Sequence, residues 1–218
     1  MARRGKGRSL AELRRRAGDR AVAKKYLVVC EGPLTEKAYF DDLRGHLRNP
    51  LVKVKIKGRG KDPLSLVNHA AQLAQAQKKR ARKRGDPYGA YDEVWCVVDT
   101  DDHASLEEAL AHSRRVQIST VVSNPCFEVW AVLHLREVTA PTTAASLRKE
   151  LGQQMPEYSR RKLLDFSVLA PGIECAIHRA RALDGGGGRV NVAGPNPSTA
   201  VHNLVAALLP QQRGRARR

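Results

Sequence analysis

The chain has 218 residues, of which 42% are hydrophobic, and its formal net charge is +17. This length and apolar content predict one domain with appendages, and the charge predicts a polyanionic partner, most simply RNA or DNA, with an anionic membrane surface as the competing interpretation. No apolar stretch approaches the roughly 20 residues that span a bilayer, and residues 1–20 lack the apolar segment of a secretory signal, so we expect a cytoplasmic protein with no membrane partner.

The first part of the chain combines a basic leader with alternating strand and helix patterns. Residues 1–24 are rich in Lys and Arg and poor in apolar side chains, which predicts a partly disordered segment. β-branched or alternating apolar runs predict strands over 26–30, 51–57, 93–98 and 116–122. Apolar side chains at helical spacing predict helices over 35–47, 63–83 and 106–115. This alternation is typical of an α/β fold, with a mainly parallel sheet flanked by helices, and we assign it to a core over 25–135.

The chain becomes helical after the core. We predict helices over 124–135, 147–151, 158–164, 173–183 and 198–209, with a glycine-rich loop over 184–189. Residues 136–210 are therefore expected to form a helical C-terminal portion packed on the core, followed by a basic tail over 211–218. The four cysteines show no CxxC spacing, which argues against a zinc site, and we expect Cys30 and Cys96 to be buried thiols because they end apolar strands.

Acidic side chains follow two of the apolar strands at the point where each strand ends. Glu31 comes directly after the first strand, and Asp99 and Asp101 follow the third with one residue between them. Ligands bind beyond the carboxyl ends of strands in open α/β sheets, so these carboxylates converge if the two strands are neighbours. Crowded carboxylates repel unless a divalent cation joins them, and hard oxygen ligands suit Mg²⁺ or Mn²⁺. We therefore predict a metal site at Glu31, Asp99 and Asp101, with Asp102 at its edge and able to hold a second ion.

Some of these acids could instead have a structural role at a helix start, without binding a metal. Glu31 taken alone could interact with the dipole of the helix that follows it, and Asp102 or His103 could cap the helix that begins near residue 106. For Asp99 and Asp101 taken together this explanation is weak, because adjacent acids at the end of a buried strand are costly without a cation.

Three known folds place acids at strand ends, and the chain matches one of them best. A haloacid-dehalogenase-type phosphatase carries Asp-x-Asp on the first strand of its core, where this chain has Glu31. A response-regulator receiver needs a Lys at a later strand end, where this chain has the segment 123–125, Ser-Asn-Pro. The Toprim fold has a Glu after its first strand and Asp-x-Asp after a later one, the order seen here.

The chain further resembles the RloB/AbiLii family, Toprim-like proteins of bacterial defence islands. The resemblance lies in segments 29–32 (Val-Cys-Glu-Gly) with 35–36 (Thr-Glu), 95–103 (Trp-Cys-Val-Val-Asp-Thr-Asp-Asp-His) and 123–130 (Ser-Asn-Pro-Cys-Phe-Glu-Val-Trp), and loosely in 196–199. It implies a Toprim-like fold, nuclease activity, an ATPase partner encoded nearby, and catalytic roles for Glu31, Asp99 and Asp101. Glu128 is a candidate additional acid, whereas His134, further along the same predicted helix, is expected to be structural.

Two basic stretches predict a surface for nucleic acid. Alternating lysines project from one face of the strand over 51–57, and six of the seven residues over 78–84 are Lys or Arg. The predicted contacts are Lys53, Lys55, Lys57, Arg59, Lys61, Lys78, Lys79, Arg80, Arg82, Lys83 and Arg84. Few aromatic residues interleave with them, so we expect binding to the phosphate backbone without sequence readout. The alternative for 78–84 is a solvated helix end whose cations favour the helix dipole.

These patterns support three hypotheses. The first is a metal-dependent nuclease acting in antiphage defence or abortive infection, with Glu31 or a metal-bound water as the base and either RNA, such as tRNA, or DNA as the substrate. The second is a non-catalytic, regulatory nucleic-acid-binding module, and the third is a small-molecule phosphotransfer enzyme. Divalent-dependent cleavage of a polynucleotide would separate the first hypothesis from the other two.

Overall fold

The computed structural model describes residues 24–56, 62–100, 105–183 and 189–210, and for 54–56 it describes the backbone alone. Within these residues the sheet contains β1 (Tyr26–Cys30), β2 (Val52–Ile56), β3 (Glu93–Asp99), β4 (Ser119–Asn124) and β5 (Ser198–Thr199). The helices are α1 (Thr35–His46), α2 (Pro63–Lys83), α3 (Leu106–Val116), α4 (Glu128–Leu135), α5 (Ala144–Gln154), α6 (Pro156–Arg161), α7 (Phe166–Leu169), α8 (Ile173–Leu183) and α9 (Val201–Leu208), with a 3₁₀ turn at Ala170–Gly172.

The sheet is mostly parallel and buried on both faces. Its order is β2-β1-β3-β4-β5, with the first four strands parallel and β5 antiparallel to β4. In β1, Val28 and Cys30 join one apolar cluster, and Leu27 and Val29 join the other. Burial on both faces explains why β1 is a continuous apolar run. The arrangement confirms the predicted α/β class and is consistent with a Toprim-like fold.

The helices cover the two faces unequally. Helices α2 and α3 pack on the face that carries Leu27 and Val29, whereas α1, α4 and most of the C-terminal helices share the larger cluster on the other face. Helix α2 begins where its sequence indicates, because the Asp62 carboxylate accepts a hydrogen bond from the Ser65 N–H at 2.9 Å and Pro63 occupies the first turn. The C-terminal helices therefore form one wall of the molecule against the core.

Several predicted boundaries are wrong, including those of the helices predicted over 147–151 and 158–164, and three of the errors have a clear local reason. Helix α3 runs to Val116 and ends at Gln117, whose φ of 58° is left-handed, so β4 begins at residue 119 and not at 116. Strand β4 continues to residue 124, so α4 begins at 128 and not at 124. The last helix begins at 201 and not at 198, because Ser198 and Thr199 pair with β4. The Ser123 and Thr199 hydroxyl oxygens lie 2.9 Å apart across that pairing.

The remaining predictions about the chain fall into two groups. Cys30 and Cys96 are buried free thiols, as predicted, and no helix among the described residues is both long enough and apolar enough to cross a bilayer. The predictions for residues 1–23, 57–61, 101–104, 184–188 and 211–218 lie outside the described residues. This second group includes Asp101 and Asp102 and the basic residues Lys57, Arg59 and Lys61.

Candidate active site

Strands β1 and β3, which precede the two acidic segments, are neighbours in the sheet. Cys30 pairs with Val97, and the Glu31 N–H donates to the Val97 carbonyl oxygen at 3.4 Å, so the chain follows β3 one residue beyond the end of β1. Asp99 is the last residue of β3 and pairs with Ser123. Glu31 and Asp99 therefore stand half-buried at adjacent carboxyl ends of parallel strands, the edge where ligands bind in such sheets.

A cavity of about 310 Å³ opens at this edge. It is lined by Gly32, Pro33, Leu34, Thr35, Glu36, Asp99, Phe127, Glu128, Arg148 and Lys162. Three of these residues are acids from separate elements, namely Glu36 from α1, Asp99 from β3 and Glu128 from α4. The two cations come from α5 and from the end of α6. Glu31 is not among the lining residues, although Gly32, which follows it, is. We call this feature the acidic cavity.

Glu36 is a site residue that the sequence reasoning missed. Its side chain is buried and folds back onto the Gly32 backbone so closely that a Cβ at position 32 would overlap the Glu36 carboxylate. Burial raises the pKa of Glu36, and the nearby Glu128 carboxylate adds to the rise against hydrogen bonds from the Glu36 and Gly32 backbone. Its position in the first turn after Glu31-Gly32 could have identified it, because that turn starts at the same sheet edge.

Glu128 is a buried carboxylate that its neighbours keep ionised. Its Oε1 atom accepts hydrogen bonds from the Tyr158 hydroxyl at 2.5 Å and from Arg148 Nε at 3.2 Å. Burial alone would raise the pKa of Glu128, but hydrogen bonds from Cys126 and Tyr158 and the positive charge of Arg148 outweigh burial and lower it. Burial and the same carboxylate raise the pKa of the Tyr158 hydroxyl, so Tyr158 donates its proton to Glu128. This network orients Glu128 in the cavity wall.

His134 lies in the core behind the cavity. Its Nδ1 is 2.8 Å from the Leu169 carbonyl oxygen and its Nε2 is 3.2 Å from the Tyr39 hydroxyl, so a neutral ring satisfies both partners. Burial lowers the pKa of His134 to about 4. These contacts fit the structural role expected for this residue.

The donor chemistry of this edge suits a hard divalent cation, because carboxylate oxygens are the ligands that Mg²⁺ and Mn²⁺ prefer. Within the described ranges, which leave out Asp101 and Asp102, no group of three His, Cys, Asp or Glu side chains is arranged to hold a metal ion. The metal site at Glu31, Asp99 and Asp101, and the second ion at Asp102, therefore stay predictions.

The described part of the basic surface lies away from the acidic cavity. Lys53 is exposed on β2, an edge strand of the sheet, and for Lys55 the backbone position is described. Among the residues that the structure describes, a group of six exposed cations stands at the end of α2 and is formed by Lys78, Lys79, Arg80, Arg82, Lys83 and Arg84. We call this group the basic cluster. Because α2 returns the chain between parallel strands, its end lies at the amino ends of the strands, the edge opposite the cavity.

The tertiary placement of Arg148 and Lys162 was also missed. Both belong to the helical C-terminal portion, and nothing in their local sequence distinguishes them from other surface cations such as Lys149 and Arg160. Only the packing of α5 and α6 against α4 and α1 brings them to the acidic cavity.

A comparison with protein families identifies the family of the chain. A family model described as "RloB-like protein" matches residues 26–208, which include all five strands and all nine helices described above. Comparisons with curated proteins and with solved structures each find no match. From the match over most of its length, we conclude that the chain belongs to the RloB-like protein family.

Proposed function

We propose that this RloB-like protein is a metal-dependent nuclease that hydrolyses phosphodiester bonds in RNA, such as tRNA, or in DNA. The observation that carries the proposal is the acidic cavity at the carboxyl edge of the sheet, where Asp99 meets Glu36 and Glu128 in a chain whose net charge is +17. An acidic sheet edge in a strongly basic protein suits a polyanion-cleaving metal enzyme, because acids at that edge can hold a metal and the surrounding cations can hold the polymer.

Glu31, Asp99 and Asp101 would hold Mg²⁺ or Mn²⁺, with Asp102 available for a second ion. When bound, the ion would neutralise charge on the scissile phosphate and make the attacking water more acidic. Glu31 is the candidate base for that water. Glu36 is a second candidate for proton transfer, because a buried carboxyl whose pKa is raised accepts a proton closer to neutral pH than an ordinary glutamate does.

Glu128 has a different proposed role, because it stays ionised in a fixed position. Its hydrogen bonds to Tyr158 and Arg148 hold the cavity wall in one geometry. Such fixed dipoles and charges stabilise developing charge without reorganising during the reaction.

The cellular role proposed here is antiphage defence by abortive infection, together with an ATPase encoded by the same locus. This part of the proposal is supported by membership of the RloB-like family and by the resemblance to proteins of bacterial defence islands. A nuclease that harms its own cell must be restrained until infection, and this restraint is the task proposed for the ATPase partner.

A second candidate is a phosphotransfer enzyme that acts on a small molecule. The volume of about 310 Å³ favours it, because this value lies at the lower end of the range for small-ligand pockets. Turnover of a nucleotide or simple phosphoester without polymer cleavage would support this candidate over the nuclease.

The test is cleavage of labelled tRNA and plasmid DNA with Mg²⁺ or Mn²⁺, with and without the neighbouring ATPase. Wild type is compared with Asp99→Ala and Glu31→Ala, and with Glu108→Ala as a control at an exposed acid on α3. We expect wild type and Glu108→Ala to cleave and the other two variants to be inactive. Salt-sensitive binding by all four proteins without any cleavage would favour the non-catalytic binding module.

A further inference from the structure

We propose that Arg148 and Lys162 contact the phosphate group of the substrate in the acidic cavity. This inference rests on the proposed nuclease function and assigns a specific task to the helical C-terminal portion. Both residues line the cavity, yet neither belongs to the strands and helices that supply its acids. The helical portion would therefore complete a phosphate-binding site that the sheet edge provides only in part.

The Arg148 guanidinium is held in place by Glu128 while most of its donors stay available. Its Nε lies 3.2 Å from Glu128 Oε1, and the Glu128 side chain is only 7% exposed, so the partner is fixed. The Arg148 side chain is 46% exposed and carries five N–H donors, of which this bond uses one. A guanidinium anchored at Nε presents a planar fork that matches two oxygens of a phosphate group.

Lys162 stands at the cavity in a backbone conformation that a lysine rarely adopts. Its φ of 58° is left-handed, a region that favours Gly or Asn over residues with long side chains. Its carbonyl oxygen accepts a hydrogen bond from the Thr35 hydroxyl at 3.0 Å, which ties the end of α6 to the start of α1. Its Nζ lies 5.0 Å from the centre of the Tyr158 ring. The left-handed residue ends α6 as Gln117 ends α3, and this helix end leaves the Lys162 cation beside the cavity.

The charge balance of the cavity explains why an anionic substrate needs these cations. Glu36, Asp99 and Glu128 would repel a phosphodiester that entered without compensation. A bound metal would offset part of that repulsion, and Arg148 and Lys162 would offset more from the side of the helical portion. The alternative is that Arg148 only neutralises buried Glu128, in which case a lysine at 148 would serve the reaction as well as arginine does.

The experiment measures kcat/KM for cleavage of the polynucleotide that wild type cleaves, together with the Tm of each protein. The variants are Arg148→Ala, Arg148→Lys and Lys162→Asn. The controls are Lys149→Ala, next to Arg148 on α5, and Arg160→Ala, two residues before Lys162, both at exposed cations that do not line the cavity. Asn at 162 removes the cation but tolerates the left-handed backbone, so this variant should fold as well as wild type does.

We expect Arg148→Ala to lower kcat/KM by about 100-fold or more, as losing a transition-state donor does. Arg148→Lys should still be lower by about tenfold, because an ammonium lacks the planar fork. Lys162→Asn should lose about tenfold or more at unchanged Tm. Both controls should stay within about twofold of wild type, as exposed substitutions normally do.

Wild-type rates for both Arg148→Lys and Lys162→Asn would overturn the inference while leaving the nuclease function intact. If wild type cleaves no polynucleotide even with its neighbouring ATPase, the proposed function fails and this inference fails with it. The two failures are therefore distinguished by the wild-type reaction.

Discussion

The acidic cavity and the basic cluster hold their charges in opposite ways. In the cavity, Glu36 and Glu128 are buried and their pKa values are shifted by burial and by fixed neighbours. The cations of the basic cluster are exposed at the end of a helix, where solvent and salt screen them. Buried charges keep one geometry, which chemistry requires, whereas exposed charges on flexible side chains suit adaptable contact with a phosphate backbone.

The two regions also lie at opposite edges of the sheet. Helix α2 begins near the carboxyl ends of the strands, where the Ser105 hydroxyl donates to Asp62 at 2.5 Å, and its 21 residues carry the chain about 30 Å toward the amino ends. A substrate that touches both regions must therefore be a polymer and not a small molecule. The comparison therefore predicts that changes in the cavity alter the chemical step, and that changes in the cluster alter binding of long substrates.

The largest effect on the cleavage rate is expected from a change at Asp99. Asp99→Asn keeps the size of the side chain but removes the charge at the end of β3, so cleavage should fall by at least about 100-fold. Binding of the uncleaved polymer should change little, because the basic cluster is untouched. Comparing single-turnover cleavage with filter binding separates the two quantities. Equal losses in binding and cleavage would contradict the prediction that the cavity controls the chemical step and the cluster controls binding.

The next largest effect, on both stability and cleavage, is expected at Gly32. Gly32→Ala would place a methyl group against the Glu36 carboxylate, which must then rotate away, so we expect a loss of about 0.5–1.5 kcal/mol in the free energy of unfolding and a fall in cleavage. Gly45→Ala is the matched control, because a Cβ at position 45 on α1 meets no atom within 4 Å. That control should raise stability by up to about 1 kcal/mol, since alanine favours the helix. Denaturant unfolding and cleavage assays of both variants check this, and unchanged cleavage by Gly32→Ala would contradict the placement of Glu36 described here.

The wall behind the cavity should respond to pH through His134. Its folded-state pKa of about 4 lies below the ordinary value of 6.5, so the unfolded chain binds the proton more readily. The stability that His134 contributes is present above pH 6.5 and is lost as the pH falls from 6.5 to about 4, by up to about 3 kcal/mol. An NMR titration of the His134 ring checks this prediction. A ring that titrates near 6.5 in the folded protein would show that burial does not control it.

The smallest effect per residue is expected for changes in the basic cluster, and it concerns the salt dependence of binding. Replacing Lys78, Lys79 and Arg80 by alanine should lower the salt slope of duplex DNA binding by about 0.9 for each lost phosphate contact and leave kcat unchanged. A triple alanine variant at Lys149, Arg160 and Arg161 removes the same charge elsewhere and should leave the slope near that of wild type.

Substrate length sharpens the same prediction. Because α2 is about 30 Å long, we expect a duplex of fewer than about 9 base pairs bound in the cavity not to reach the cluster, so its cleavage should be insensitive to the cluster variant. Equal sensitivity of short and long duplexes would show that the cluster acts near the cavity.

The sequence predicted the fold well where one local signal dominates. The apolar runs that became β1 and β3 are buried on both faces, and Asp62-Pro63 starts α2 where capping chemistry requires it. The prediction from sequence failed at Ser198–Thr199, which it assigned to a helix. A polar two-residue strand has no periodicity and forms only by pairing with β4. In the site, the strand-end position identified Asp99, whereas Arg148 reaches the cavity through the packing of α5, which no local pattern encodes.

Metal binding by the acids at the carboxyl edge is the central claim, and a Mn²⁺ titration followed by electron paramagnetic resonance tests it without depending on activity. Wild type and Glu108→Gln, which changes an exposed acid on α3, should bind Mn²⁺ with the same affinity. Asp99→Asn and Glu31→Gln should bind it at least about tenfold more weakly. Mn²⁺ binding by Asp99→Asn as tight as that of wild type would contradict the account.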